Sequence, residues 1–348
     1  MKKNIRVLGL VLALIFVLTA CGNGDNKDNP ATSSSDTQSS INGKSSEEQE
    51  VITFRLAENQ PADNPISKAM EMFADLVSKK TDGSVKIDVY LDGQLGSETE
   101  TIDQVEAGTL DIARVNTSSL SDTIPDCSVF SLPYIFKNQE HKYKVLDGEI
   151  GDKIFSEFSN KNMIGLRFWE AGSRNFYSTE KPIHSVADIK GMKIRVQPND
   201  VAIKMVEALG GAATPMDYGE VYQGLQTGVI QAAENDFVSY ATSGHFEVAK
   251  YMCLDGHMAP PAVVIMSADS WNKLNDDQKK AIKEAADESC EWQRKAMNDF
   301  QLESRKKVEE AGCQINEVNV EEFAKAVQPV YDKYPDLKEL IEEIQAVK

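Results

Sequence analysis

Histidine is scarce in this sequence of 348 residues, and cysteine is nearly as rare, with four and five copies respectively. No Cys-x-x-Cys pair occurs, and the histidines show none of the spacings that are typical of metal ligands. The four histidines are His141, His184, His245 and His257. We therefore expect no metal site and no cofactor.

The sequence also lacks the motifs of common enzymes and any excess of basic charge. It contains no G-x-S-x-G, no H-E-x-x-H, no phosphate-binding P-loop and no Rossmann glycine pattern. Its 37 lysines and arginines are outnumbered by 55 aspartates and glutamates, which gives a net charge of −18. Nucleic-acid-binding proteins usually carry a basic patch. We expect neither an enzyme nor a nucleic-acid partner.

Four of the cysteines lie in the body of the chain: Cys127, Cys253, Cys290 and Cys313. They allow three complete pairings, and their spacing alone does not choose among these. We expect them to be buried and unpaired, although an oxidising compartment would permit a disulfide.

One long apolar run is present, and it lies at the N-terminus. Lys2, Lys3 and Arg6 precede about a dozen apolar residues, and the run ends in Leu-Thr-Ala-Cys. This pattern predicts a secretory signal peptide over residues 1–20 rather than a spanning helix. The small residues before Cys21 resemble the bacterial lipoprotein signal, in which that cysteine is lipidated and becomes the new N-terminus. A plain secreted protein with an incidental Cys21 is the alternative.

The stretch over residues 21–50 is rich in serine, asparagine, aspartate and glycine and has almost no apolar residues. Such a segment buries too little surface to offset its chain entropy, so it predicts a flexible tether. Loss of the signal would leave 34 basic against 55 acidic residues, a charge of −21. Together these features predict a folded body held at the outer face of the cytoplasmic membrane by a lipid anchor at Cys21.

The body begins with an alternation of strand and helix patterns. VITFRLAE, SVKIDVYL and LDIARVN are typical of strands. A helix pattern that begins at Pro65 and ends by Gly83 separates the first two strands, and SETETIDQVEAG separates the second from the third. This order favours parallel pairing with right-handed crossovers. Residues 52–117 therefore predict one half of an α/β lobe.

A second unit of the same kind follows, and a long helix comes after it. MIGLRFW, GMKIRVQ and GVIQAAEND have strand patterns, with helical segments between them. A helix of over thirty residues begins at Asn275, where Gln278 completes a capping box, and ends at Gly312. It would measure about 50 Å, so we expect it to span two lobes. The predicted boundaries are 51–171 plus 261–299 for lobe 1, and 172–260 plus 300–348 for lobe 2.

Five segments of the body resemble, in order, the signatures of one family. They are DGQLGSETETIDQVEAGTLDIA, SLPYIF, GSRNFYSTEKPIHSVADIKGMKIRVQPN, GAATPMDYGEVYQGLQTGVIQAAEND and MCLDGHMAPP. From about residue 52 onward the chain resembles the DctP-type solute-binding proteins of tripartite ATP-independent periplasmic (TRAP) transporters. The resemblance implies a periplasmic-binding-protein-like α/β fold whose two lobes close around an organic acid in the cleft between them. It also implies delivery of that acid to the membrane subunits of a TRAP permease, and we expect a monomer.

Two arginines occur where a carboxylate could bind. In GMKIRVQPN, Met192, Ile194 and Val196 form one face of a strand, and Arg195 lies on the other. Arg174 follows a strand at a Gly-Ser turn. A buried guanidinium needs a partner, which a structural Asp or Glu could supply, and its planar donors match a carboxylate. The resemblance implies instead that Arg195 binds the ligand carboxylate, with Arg174 as the second arginine of the site.

The resemblance implies further contacts from the second lobe. Asn235 matches an amide that donates to the same carboxylate or to a neighbouring hydroxyl, with an Asx turn as the alternative. Asp236 stands where proline is common in the family, so we expect the following loop to differ. Tyr218 matches an aromatic ring that stacks over the ligand. His257 matches a histidine near the cleft floor, with a purely structural histidine as the alternative.

The resemblance also implies contacts from the first lobe, where Glu98 and Asn116 occupy matching strand-to-helix loops and the AENQPADN loop could add Asn59. A carboxylate in the cleft suits a ligand with hydroxyl groups to donate. Two arginines in such polar company fit a sugar acid, a hexuronate or an aldonate, better than a dicarboxylate, which would need positive charge at both ends. A C4-dicarboxylate or keto-acid binder, or a sensor that presents its ligand to a receptor, is the alternative. We expect hinges near residues 168–173 and 258–261.

Overall fold

The computed structural model describes residues 51–348. The predicted signal peptide (1–20), the predicted tether (21–50) and the predicted lipidation site Cys21 lie outside the described residues. Within residues 51–348, no helix has both the length and the apolar character that crossing a membrane would require.

The described residues form two β-sheets, each covered by helices. The strands are β1 (Ile52–Ala57), β2 (Val85–Tyr90), β3 (Ile112–Asn116), β4 (Met163–Trp169), β5 (Asn175–Ser178), β6 (Lys193–Val196), β7 (Ala212–Pro215), β8 (Ala232–Asn235), β9 (Tyr251–Leu254), β10 (Ala262–Ser267) and β11 (Gln314–Glu317). The helices are α1 (Pro65–Lys80), α2 (Glu98–Glu106), α3 (Gln139–Leu146), α4 (Glu149–Phe158), α5 (Val186–Ile189), α6 (Asp200–Ala208), α7 (Val221–Thr227), α8 (Phe237–Thr242), α9 (His245–Val248), α10 (Ala268–Trp271), α11 (Asp276–Glu310), α12 (Val320–Val327) and α13 (Lys338–Ala346).

The first sheet has the strand order β2-β1-β3-β10-β4. β1 pairs in parallel with both β2 and β3, which confirms the parallel pairing predicted for residues 52–117. β10 lies antiparallel between β3 and β4. β4, which carries MIGLRFW, therefore belongs to the first sheet; it lies within the range 51–171 predicted for lobe 1, although its strand pattern was grouped with the second unit. A strand from much later in the chain separates β3 from β4, and local sequence patterns do not reveal such an insertion.

The second sheet has the strand order β11-β9-β5-β8-β6-β7. β6 pairs in parallel with β7 and with β8, whereas β5 runs antiparallel to β8 and β9. Because β6 has a neighbour on each side, Ile194, Arg195 and Val196 are all buried. Parallel strands end at the same edge of a sheet, so the residues that follow β6, β7 and β8 lie close together.

The long helix α11 spans 35 residues, or about 50 Å at 1.5 Å per residue. The Asn275 side chain accepts a hydrogen bond from the N–H of Gln278, and the Gln278 side chain accepts one from the N–H of Asn275, which confirms the capping box. Gly312 follows the helix end with a φ of +82°. α11 packs against α1 and β4, and also against α8, so it contacts both lobes.

The C-terminal helix contacts elements of the first lobe. α13 lies within residues 300–348, which were predicted to belong to lobe 2, yet it packs against α4 of the first lobe. Lys153 and Glu343 form an ion pair between these two helices at 3.2 Å. The buried Ile344 is part of the same contact, because its carbonyl bonds the ring of His141 on α3. The lobe boundaries themselves stay a prediction.

Among the described residues, all four cysteines are buried, and none is paired with another. This confirms the expectation for Cys127, Cys253, Cys290 and Cys313. Cys290 donates to the carbonyl of Phe168 at 3.2 Å, which joins α11 to the end of β4.

Candidate functional site

A cavity of about 300 Å³ lies where the carboxyl ends of strands from both sheets meet. Pockets of this size and larger are typical of small-molecule sites. Seven of the eight predicted ligand-binding residues line it: Asn59, Glu98, Asn116, Arg174, Arg195, Tyr218 and Asn235. The cavity therefore brings together residues from positions that are far apart in the chain.

Arg195 extends from the middle of β6 into this cavity, and only 2% of its surface is exposed. Its Nε donates to the carbonyl of Met216 at 2.9 Å. Its Nη1 lies 3.9 Å from Glu234 Oε1, which is too far for a hydrogen bond. Within residues 51–348 the two terminal nitrogens make no hydrogen bond. Burial lowers the pKa of Arg195, and Glu234 opposes this only in part. The terminal N–H groups of Arg195 can therefore donate to an acceptor that is not part of the described chain.

Arg174, by contrast, already has a carboxylate partner in the chain. Its Nε donates to Glu234 Oε2, and its Nη2 donates to Glu234 Oε1 and to the Glu234 carbonyl, both at 2.9 Å. Its Nη1 donates to Asn235 Oδ1 at 2.8 Å. These bonds use four of the five N–H groups of a guanidinium. Arg174 thus fits the structural alternative that its sequence context left open, and one N–H remains for a ligand.

Glu234 is the centre of the buried charges on this side of the cavity. It is fully buried, which alone would raise its pKa, but Arg174 and His257 bring that pKa down to about 2. His257 lies behind it, with Nε2 3.6 Å from Glu234 Oε2 and Nδ1 2.7 Å from Asp255 Oδ2. Burial would lower the pKa of His257, yet the two carboxylates raise it to about 9.

His257 is the one predicted ligand-binding residue outside the cavity lining. Its ring stacks on Phe176 at 4.2 Å and is 1% exposed. This position fits the structural histidine that the sequence left as the alternative. The positive charge of His257 stabilises the ionised form of Glu234. Glu234 in turn accepts hydrogen bonds from Arg174.

Tyr218 and Asn235 complete the second-lobe side. The Tyr218 ring lies 5.9 Å from the Arg195 guanidinium, and its hydroxyl lies 2.5 Å from Ser243 Oγ. Burial raises the pKa of Tyr218 to about 12. Asn235 Oδ1 accepts from Arg174, and its Nδ2 makes no hydrogen bond within the described chain. Asp236, which replaces the family's common proline, caps α8 by accepting from the backbone of Val238 and Ser239.

The first-lobe side is a polar network of Glu58, Asn59, Glu98, Arg114 and Asn116. Glu98 Oε1 accepts from the Asn116 side chain at 2.9 Å and from Arg114 Nη1 at 3.2 Å. Asn59 Oδ1 accepts from Arg114 Nη2 at 2.5 Å. Arg114 also donates from Nε to Glu58 Oε2 at 2.6 Å. We name this set the first-lobe network.

Sequence reasoning missed Arg114 and Gln197, although a signal for each was present. Arg114 lies two residues before Asn116 on β3, and Gln197 lies two residues after Arg195, so each shares a face with a predicted site residue. Both line the cavity. The argument that selected Arg195, a charged residue on an otherwise buried strand, applies equally to Arg114.

The fold has two lobes with a cavity between them, and the terminal nitrogens of Arg195 in that cavity make no hydrogen bond within residues 51–348. These are the features of a binding protein for a small anion. The family model described as "Bacterial extracellular solute-binding protein, family 7" (DctP) matches residues 56–336, and the chain belongs to this family. The family prediction and the two-lobed α/β fold are thereby confirmed. Members of this family act outside the cytoplasm, as their description states.

Relatives of known sequence and structure resemble the chain over most of its length. A solute-binding protein of Chromohalobacter salexigens is 39% identical over 290 residues, or 82% of this chain and 86% of the relative. A TRAP periplasmic solute-binding protein of Roseobacter denitrificans, solved with bound β-D-glucuronate, is 40% identical with a TM-score of 0.83, covering 85% of this chain and 100% of that one. One of Xanthobacter autotrophicus, solved with bound β-D-galacturonate, is 38% identical with a TM-score of 0.82 and the same two coverages.

Proposed function

We propose that this protein captures a small sugar acid, a hexuronate or an aldonate, and delivers it to the membrane subunits of a TRAP permease. The observation that carries the proposal is the Arg195 guanidinium, whose terminal nitrogens have no acceptor within residues 51–348 although the side chain is buried in the cleft. The hexuronates bound to the Roseobacter and Xanthobacter relatives agree with it.

The carboxylate of the ligand would bind on the second-lobe side. Arg195 can donate two parallel hydrogen bonds to it, which is the strong geometry for a guanidinium and a carboxylate. Asn235 Nδ2 and the remaining N–H of Arg174 are further donors around the same place. Tyr218 offers a ring face for the carbon skeleton. This side of the cleft supplies donors to the ligand.

The hydroxyl groups of the ligand would bind on the first-lobe side. Glu98 and Asn116 offer acceptor oxygens there, and Asn59 offers an amide donor. A second carboxylate in this position would lie against Glu98 and would be repelled. The arrangement therefore favours an acid with hydroxyl groups over a C4-dicarboxylate.

Ligand binding would favour the closed arrangement of the lobes, because contacts on both sides exist together only when the cleft is shut. We expect the hinges near residues 168–173 and 258–261, where β4 continues into the second lobe and where the chain returns to β10. The permease would then recognise the closed, loaded form. The protein would act without chemical turnover of its ligand.

The sequence of residues 1–50 predicts how the protein is attached to the membrane. We propose that Cys21 carries a lipid and that residues 21–50 tether the binding domain, as a monomer, to the outer face of the cytoplasmic membrane. Residues 1–20 would be removed as the signal peptide.

A titration panel tests the proposed ligand class. We expect D-glucuronate, D-galacturonate or D-gluconate to raise the melting temperature and to bind with a Kd in the micromolar range or tighter, whereas succinate and pyruvate should bind at least about tenfold more weakly. Isothermal titration calorimetry gives the Kd values. Preference for succinate over every sugar acid would refute the proposal. Turnover of a bound sugar acid, followed by mass spectrometry, would refute the assignment as a binding protein.

A further inference from the structure

Arg114 is a third buried arginine beside the cleft, and the proposed binding of the ligand carboxylate does not use it. It lies in the middle of β3, between β1 and β10, and is 2% exposed. It donates twice to Glu58, once to Glu98 and once to Asn59. Four of its five N–H groups are thus taken by the chain itself. Arg114 has no bidentate face left for a ligand carboxylate.

The partners of Arg114 are the groups that face the ligand. Glu98 and Asn59 both line the cleft, and Glu58 lies behind them with its side chain fully buried. Glu98 receives additional hydrogen bonds from Asn116 at 2.9 Å and from Ser119 Oγ at 2.6 Å. Asn59 has no other side-chain hydrogen bond within residues 51–348, so Arg114 alone fixes its amide orientation.

The charges of the first-lobe network do not cancel. One arginine stands against two carboxylates, those of Glu58 and Glu98, at 2.6 Å and 3.2 Å. Glu58 accepts two hydrogen bonds from Arg114 and balances its charge, so within the first-lobe network Glu98 accounts for the net negative charge. Arg195, across the cleft, is the incompletely neutralised positive charge. The Arg195 guanidinium and the Glu98 carboxylate therefore lie on opposite lobes of a cleft whose lining also includes the carboxylates of Asp92, Glu100, Asp217 and Asp236.

We propose that Arg114 is a positioning residue that sets ligand specificity. It holds Glu98 and Asn59 as an acceptor and a donor for the hydroxyl groups at the end of the ligand away from its carboxylate. The network keeps its net negative charge, so a ligand with a carboxylate at each end is rejected. This inference rests on the proposed function, since it concerns the far end of the same ligand.

The test uses two ligands that differ at one end. D-Glucarate has the six carbons of D-glucuronate with a second carboxylate at carbon 1, and it cannot form the pyranose ring of glucuronate, so the change of the affinity ratio in a charge variant is what isolates the charge. We expect wild-type protein to bind glucuronate at least about tenfold more tightly than glucarate, by calorimetry at constant pH and salt. Glu98→Gln removes the unbalanced charge, and we expect it to reduce this ratio by about tenfold or more.

Arg114 itself is tested with variants that separate position from charge. Arg114→Met with Glu58→Met removes the fully buried ion pair as a unit, so the net charge of the network stays the same, and Glu98 keeps its hydrogen bonds from Asn116 and Ser119. We expect this double variant to melt near the wild-type temperature and to bind glucuronate at least about tenfold more weakly, because Glu98 and Asn59 lose their common donor. Arg114→Lys keeps a donor beside Glu98, and we expect it to recover part of the affinity.

The results of these experiments test the role of Arg114 separately from the proposed binding of a sugar acid. Wild-type protein that binds no sugar acid would refute the proposed function before any variant is made. If the wild-type protein binds a sugar acid and the double variant binds it with the same Kd, the positioning role of Arg114 is refuted while the proposed function stands. An unchanged glucuronate-to-glucarate ratio in Glu98→Gln would overturn the charge argument.

Discussion

Replacing Arg195 by methionine separates ligand binding from folding in this protein. The guanidinium donates one hydrogen bond to the chain, from Nε to the Met216 carbonyl at 2.9 Å, and its nearest carboxylate atom is 3.9 Å away. Removing it should therefore change the free energy of unfolding by about 1 kcal/mol at most. The ligand carboxylate, however, would lose its charge-assisted pair. We expect binding to weaken by at least about 2 kcal/mol, or about 30-fold in Kd.

Arg174→Met is the matched control, because it removes the same group from a second buried arginine that lines the same cavity. It breaks the buried pair with Glu234 and leaves that carboxylate without its main counter-charge. Loss of one partner of a buried pair costs about 3–5 kcal/mol of stability. Urea unfolding measures this free energy, and calorimetry with the tightest sugar acid measures the Kd. An unchanged Kd for Arg195→Met, or a loss of stability as large as that of Arg174→Met, would refute the reasoning.

Two further predictions concern His257 and Cys21. The pKa of His257 is about 9 in the folded protein and 6.5 ordinarily, so its charge stabilises the fold fully below pH 6.5 and this stabilisation is lost as the pH rises through 9. Urea unfolding at pH 6 and pH 10 should show a loss of about 3 kcal/mol that is absent in His257→Gln, and equal losses in both proteins would contradict the assignment. Cys21→Ser should release the protein from the membrane fraction into the medium or periplasm, as judged by immunoblotting of cell fractions; retention in the membrane fraction would exclude Cys21 as the anchor.

Much of the fold was predictable because it depends on local patterns. The alternation of strands and helices over residues 52–117 gave the parallel pairing of β1, β2 and β3, and Asn275 with Gln278 marked the start of α11. The insertion of β10 between β3 and β4 was not predictable from local patterns, since β10 returns from the second lobe almost a hundred residues after β4.

The different roles of Arg174 and Arg195 were also beyond the reach of local patterns. Both residues are buried, and both occur in segments that resemble the same family. What separates them is Glu234 on β8, a strand that pairs with β5 on one side and β6 on the other. Its carboxylate is within hydrogen-bond distance of Arg174 but 3.9 Å from Arg195. A sequence shows that a glutamate is present, but not which of two arginines it pairs with.

A strongly acidic protein can bind an anion when the charge that matters is local. Exposed charges more than about 8 Å from the ligand are screened at physiological ionic strength. Arg195 is 2% exposed, so its attraction for a carboxylate is screened far less. We expect the carboxylate of Glu98 on the opposite lobe to act on the other end of the ligand rather than on its acid group. We therefore expect the specificity of the cleft to depend on the placement of Arg195 and Glu98 on opposite lobes, and not on the net charge of the protein.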